Sequence, residues 1–204
     1  MTKHSWFMPH DEDVLGLLGA QAATVAEVVA VVDAWADGGS DIEDAVTSAH
    51  GLVDAARAQL VRVVDAVQDS FSTPIEPEDA YELAERLGEV AHRGYALLRE
   101  VQLSRLTATP ALAGVCGCAR ASSAAAGRAV AALPGAAAAA IADEAAKALQ
   151  SADHHLRAGL NALDAQEDLR YEIRMRDALR RAEALVEACA HVAHRVRYAV
   201  TKET

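Results

Sequence analysis

Aromatic side chains are scarce in this chain, 4% of 204 residues, although 52% of it is hydrophobic. Alanine supplies much of that content, so the mixture favours helices packed closely through small side chains over sheets built on bulky ones. A basic excess is also missing: the formal charge is -11. With no positive field to displace counterions from phosphates, nucleic acid is excluded as a partner. Cations, or a basic face on a protein, remain compatible with that charge. No apolar run is read as approaching the ~18 residues of a membrane span, because AAAGRAVAALPGAAAAAIA is broken by Arg128 and by Pro134-Gly135. The start MTKHSWFMPHDED carries no signal-peptide core, so a soluble, cytoplasmic chain is expected.

Catalytic signatures are absent too. No glycine-rich phosphate loop of the P-loop or dinucleotide type occurs, and Ser122-Ser123 has neither an elbow nor a base beside it. The three cysteines, Cys116, Cys118 and Cys189, are an odd set, expected as free thiols that pack in the core. Gly38-Gly39 reads as a helix stop. Trp6, Phe7 and Trp35 read as anchors of the first helix.

What is present is helical periodicity. Breaks fall at DGGSD (37–41), STPIEPED (72–79), TATPA (107–111), LPG (133–135) and DAQED (164–168), each rich in residues that stop or start helices. Between them apolar positions recur at helical spacing, as in Leu83, Leu87, Val90, Leu97 and Val101, and in Leu185, Val192, Val196 and Val200. Pro74 and Pro77 mark a helix entry, and Glu78 and Asp79 then stand where the helix dipole favours acid. The expected fold class is all-α, with six helical segments.

Glu89-Val-Ala-His-Arg93 returns as His191-Val-Ala-His-Arg195, and Arg57-Ala-Gln-Leu60 returns as Arg157-Ala-Gly-Leu160. Inside two sets of three helices, these ordered pairs predict a duplicated three-helix unit, residues 1–107 and 108–204. Both third helices then carry a polar triad at i, i+4 and i+7: Glu85, Glu89 and His92, and Glu187, His191 and His194. Such positions fall within about 60° of one another and point the same way. Carboxylate and imidazole are the ligand types for Zn, Fe, Mn or Ni, and neighbouring helices would add His50 and Asp54, or Asp153, His154 and His155. A solvated face opposite the core explains the same pattern without a metal. Arg174, Arg176, Arg180, Arg181, Arg195 and Arg197 likewise read first as a solvated face, and second as a dock for an acidic partner.

Ser5-Trp-Phe-Met-Pro9, Phe71-Ser-Thr-Pro-Ile-Glu-Pro-Glu-Asp79, Leu87-Gly-Glu-Val-Ala-His92 and Val192-Ala-His-Arg-Val-Arg-Tyr-Ala-Val-Thr-Lys-Glu203 resemble the PhoU-like proteins. More closely, they resemble the Pit accessory branch found with low-affinity phosphate transporters. The resemblance implies paired three-helix bundles, a cytoplasmic location and regulation of phosphate uptake by contact with such a transporter. It also implies metal on the bundle surface. Leu87 to His92 matches an L-D-D-x-x-D stretch, with Gly88 and His92 in place of acids and Glu89 retained. His50 to Asp54 matches an E-x-x-x-D motif. Glu187, His191 and His194 stand where relatives carry acids. The mixed His and carboxylate set suits Zn or Fe, with Ni as a further choice, better than Mg or Ca. A homo-oligomer is expected, with no catalytic residues. A metal-dependent helical enzyme and a metal-free interaction scaffold stand as the alternatives.

Overall fold

Helix-breaking residues divide the chain where its sequence concentrates them. The computed structural model describes residues 13–70 and 73–202; Trp6, Phe7 and the Phe71-Ser72 part of the proline motif lie outside the described residues. It consists of α1 (Val14–Ala36), α2 (Ile42–Asp69), α3 (Pro77–Ser104), α4 (Pro110–Ala131), α5 (Ala137–Ala148), α6 (Ala152–Leu163) and α7 (Leu169–Lys202), with no strand among the described residues. The all-α class is as expected, and all five anticipated breaks are present. The fifth segment differs in one respect: it is interrupted at Leu149, Gln150 and Ser151, giving α5 and α6. No glycine or proline marks this break. Ser151 lies 3.2 Å from Cys118 Sγ on α4 instead of capping α6.

Local chemistry sets the other ends. Asp13 Oδ1 accepts from Gly16 N at 2.8 Å and Asp41 Oδ1 from Glu43 N at 2.8 Å, each satisfying an otherwise unpaired helix donor. Thr109 Oγ1 caps α4 through Leu112 N at 3.3 Å, with Pro110 following in the first turn. Asp168 Oδ1 accepts from Arg170 N at 2.9 Å and Tyr171 N at 3.2 Å at the start of α7. Gly38 closes α1 at φ 76°, a conformation that favours glycine.

Helices α1, α2 and α3 pack on one another, and α4 and α7 pack on each other and on both α5 and α6. The two groups meet where α1 lies against α4 and α3 against α7. Gly94 lets α3 lie close against α1. A Cβ there would lie 3.2 Å from Val28 Cγ1 and 3.4 Å from Val32 Cγ2. The apolar stripes expected for α3 and α7 are buried throughout, as is Trp35.

Helix α1 corrects the expectation that no segment is apolar enough to span a membrane. Its most apolar 18-residue window has a mean hydropathy of 1.8. Glu27 and Asp33 interrupt the run to the eye without lowering that mean enough. In the bundle, Leu18, Val25, Val28, Val29 and Val32 are buried, and α1 packs against α2, α3 and α4.

Candidate metal face

The two polar triads lie where helical spacing puts them, on the outer sides of α3 and α7. Glu85 and His92 are exposed and Glu89 half-buried on α3, while Glu187, His191 and His194 are all exposed on α7. Glu85, Glu89 and His92 line one open hollow of about 340 Å³, together with Arg86 and Gly88. Gly88 leaves room there because α2 approaches it, with Leu60 Cδ1 3.6 Å from where a Cβ would stand.

The carboxylates in that hollow are already engaged. Arg93 Nη2 donates to Glu89 Oε1 at 3.1 Å and Arg86 Nη1 to Glu89 Oε2 at 3.4 Å. The hydrogen bond from Arg93 is the main reason that the Glu89 carboxyl is held below its ordinary range. Tyr81 Oη donates to Glu85 Oε1 at 3.2 Å. On α2, His50 Nδ1 stands 3.2 Å from Asp54 Oδ2, and the His50 ring lies 5.6 Å from that of Tyr95 on α3.

The second set is more dispersed. Arg157 Nε donates to Asp153 Oδ1 at 3.0 Å. His155 packs over Gly114 of α4, where a Cβ would lie 2.4 Å from its Nδ1, and meets His154 edge-on at 5.8 Å between ring centroids. Gly159 of α6 packs towards Leu179 of α7, whereas Arg197, beyond the α7 triad, reaches Asp143 of α5 at 3.3 Å. The α7 triad therefore lies just before the contact of Arg197 with α5, whereas His155 of α6 is turned to α4 and Asp153 and His154 are exposed. Among the described residues, no three His, Cys, Asp or Glu side chains are grouped to hold a metal ion. As placed, the candidate ligands do not fit a metal without new rotamers or a further contributor.

The cysteines behave as core. All three are buried free thiols, and burial pushes the thiols of Cys116 and Cys189 up to about 12, so neither offers a thiolate near neutral pH.

Two charged contacts between helices escape a reading of the sequence. Arg195, the last letter of the second pentapeptide, is not part of a solvated face: its Nη2 lies 2.5 Å from buried Asp79 Oδ1 and its Nη1 2.6 Å from Glu82 Oε2. Arg195 also stacks over the Tyr198 ring at 4.9 Å, and Lys202 pairs with Glu76 beside it. Asp79, read as an acid at a helix start, thus joins α3 to α7. On the opposite side of the bundle, Arg120 Nη1 of α4 lies 3.2 Å from Oδ2 of buried Asp33 on α1. Burial first, then the charge of Asp37, raises the Asp33 carboxyl from its ordinary value, and Arg120 opposes the rise. Neither partner could be chosen from spacing, because each lies on another helix.

No sequence-family description matches the chain, and no curated protein sequence is similar to it. Solved structures are. A protein of Shewanella oneidensis MR-1 described as a PhoU-like phosphate regulatory protein aligns with a TM-score of 0.72 at 16% identity, over 93% of this chain and 99% of its own. A second, described as a PhoU-like protein of the same organism, aligns with a TM-score of 0.72 at 14% identity over the same shares. At these identities the likeness establishes architecture alone: the chain has the fold of the PhoU-like proteins.

Proposed function

We propose that this chain is a cytoplasmic, non-catalytic regulator of inorganic phosphate uptake, an accessory that docks on a low-affinity Pit-type transporter. The observation that carries the proposal is the fold match, which spans 93% of this chain and 99% of a protein described as a phosphate regulator. The sequence resemblance to the Pit accessory branch is independent of that match and narrows the transporter class. Duplication of a three-helix unit, with α4 to α7 answering α1 to α3, and self-association belong to the same proposal.

Metal enters as a second part. The triads on α3 and α7 present carboxylate and imidazole outward on matching helices, ligand types suited to Zn or Fe, or to Ni. Glu89 must exchange its arginine partners before it can bind a metal, so no step of the regulation is routed through one.

Both parts are testable on purified, tag-free protein. Binding to the permease of the same cell in lipid nanodiscs is expected, with Zn or Fe detected by elemental analysis and lost on joint His92→Ala and His194→Ala substitution. Absence of permease binding overturns the regulator. Metal that persists in the double variant overturns the assignment of the ligands.

A further inference from the structure

Alanine and glycine leave a gap in the packing that no described side chain fills. Between the start of α4, α6 and the first turns of α7 lies a pocket of about 300 Å³, open on one side and walled mostly by apolar atoms. Its floor is core: Leu163, Met175 and Leu179 are 4%, 2% and 2% exposed. On α6 its rim is Ala158 and Ala162, both exposed. At Gly159 the helices touch, since a Cβ there would lie 2.9 Å from Ala111 Cβ and 3.1 Å from Leu179 Cδ2. The alanines beside it are too short to close the hollow. A cavity of about 150 Å³ accepts benzene, and this one is twice as large, with room for roughly ten non-hydrogen atoms.

The wall carries no charge: none of the residues around the pocket is an acid, a lysine, an arginine or a histidine. Its polar groups are those of Thr109, Gln166 and Tyr171. Gln166 Oε1 accepts from Asp168 N at 3.3 Å, which leaves the amide Nε2 free to donate. Thr109 Oγ1 already accepts from Leu112 N, and the Tyr171 hydroxyl has no hydrogen-bond partner among the described residues. Donors are therefore in excess over free acceptors. An uncharged wall rich in donors selects an acceptor that is itself uncharged, because a buried charge without a counter-ion is costly. A carboxylate would also enter past Asp164, Glu167 and Asp168, which surround Gln166 in the chain, and an ammonium would bring only more donors.

We propose that the pocket between α4, α6 and α7 binds a neutral, mainly apolar small molecule with one hydrogen-bond acceptor, such as a ketone, ester or ether. Its body lies on Leu163, Met175 and Leu179, and its acceptor takes the Tyr171 hydroxyl, the division between apolar bulk and a few polar groups that ligand pockets show. Occupancy joins α6 to α4 and α7 through the ligand, so binding stabilises the folded chain. The proposal goes beyond the regulator reading and does not depend on phosphate transport.

The test titrates three probes of similar size, neutral acetophenone, anionic benzoate and cationic benzylammonium, into the full chain with 13C-labelled methionine methyl groups. The methyl group of Met175, on the floor, reports occupancy by NMR. A saturable shift with acetophenone is expected, at an affinity about tenfold or more above that of either ion. Ala162→Leu, at an exposed position on the rim, is expected to remove the response and leave the urea midpoint unchanged. Tyr171→Phe is expected to weaken acetophenone about fivefold, the scale of one hydrogen bond, and to leave ethylbenzene, which has no oxygen, unaffected. No saturable shift with acetophenone, equal affinity for an ion, or a response that persists in Ala162→Leu overturns the proposal. Equal effects of Tyr171→Phe on acetophenone and ethylbenzene overturn the assigned acceptor contact. A dimer in sedimentation that Ala162→Leu dissociates overturns the small molecule as occupant, in favour of a side chain from a second copy.

Discussion

Arg195 lies on the same pentapeptide as the candidate ligand His194, yet the two side chains do different work. His194 faces solvent, while Arg195 turns between α7 and α3 to neutralise a carboxylate that the core has taken out of water. Removing the guanidinium leaves buried Asp79 without its hydrogen-bonded cation, with only the charge of Lys202 still acting on it. Arg195→Ala is therefore expected to cost about 3–5 kcal/mol in urea unfolding, the scale of a broken buried pair. Arg93→Ala, at the equivalent place in the first pentapeptide but serving half-exposed Glu89, is expected to cost less than about 1 kcal/mol. Similar costs for the two would contradict the distinction. Asp33 gives a prediction in pH. Because its carboxyl is raised above 3.8, chiefly by burial, the folded chain holds that proton more tightly than the unfolded chain does. Its contribution to stability is therefore largest at low pH and declines as pH rises through the window from 3.8 up to the raised value. In the Asp33→Asn protein that decline disappears, which a comparison of urea midpoints across about pH 4 to 7 would detect. An unchanged pH profile would show that Asp33 does not titrate in this way.

Among the helices, α6 is the least secured. Like α5 it has 12 residues and no side-chain cap at its start, but it packs less extensively on α4 and α7 than α5 does. Helices that short do not persist without tertiary support, so backbone amides of α6 are expected to exchange with deuterium faster than those of α5, which has the same length. Equal protection would mean that the pocket beside α6 is as rigid as the rest. The break that creates α6 also marks where the sequence stops being legible. The five other loops announce themselves through Gly38, Pro74, Thr109, Pro134 and Asp168, residues whose backbone or side chain disfavours a continued helix. Leu149-Gln150-Ser151 offers only Ser151, which does not cap α6, and the interruption accompanies a contact between Ser151 and Cys118 that exists only once α4 is in place.

At the scale of the whole molecule, apolar spacing identified which side of α3 and α7 faces inward, and so which side carries the triads. It could not say how arginines from the same turns would engage those acids, because Arg86 and Arg93 compete with any metal for Glu89 only through their final rotamers. Nor could it place His155, which packs over Gly114 of α4 beyond the break in the fifth segment. What survives from sequence to structure is an all-α chain of six helical segments, the fifth broken in two, with the fold of the PhoU-like proteins. The most direct test of the regulator itself is labelled phosphate uptake into proteoliposomes that contain the Pit-type permease, with the protein added at the cytoplasmic side. The account predicts a saturable change in uptake rate as the protein is titrated, absent when a heat-denatured sample is used. Uptake that stays constant across the titration, with the permease otherwise active, would contradict it.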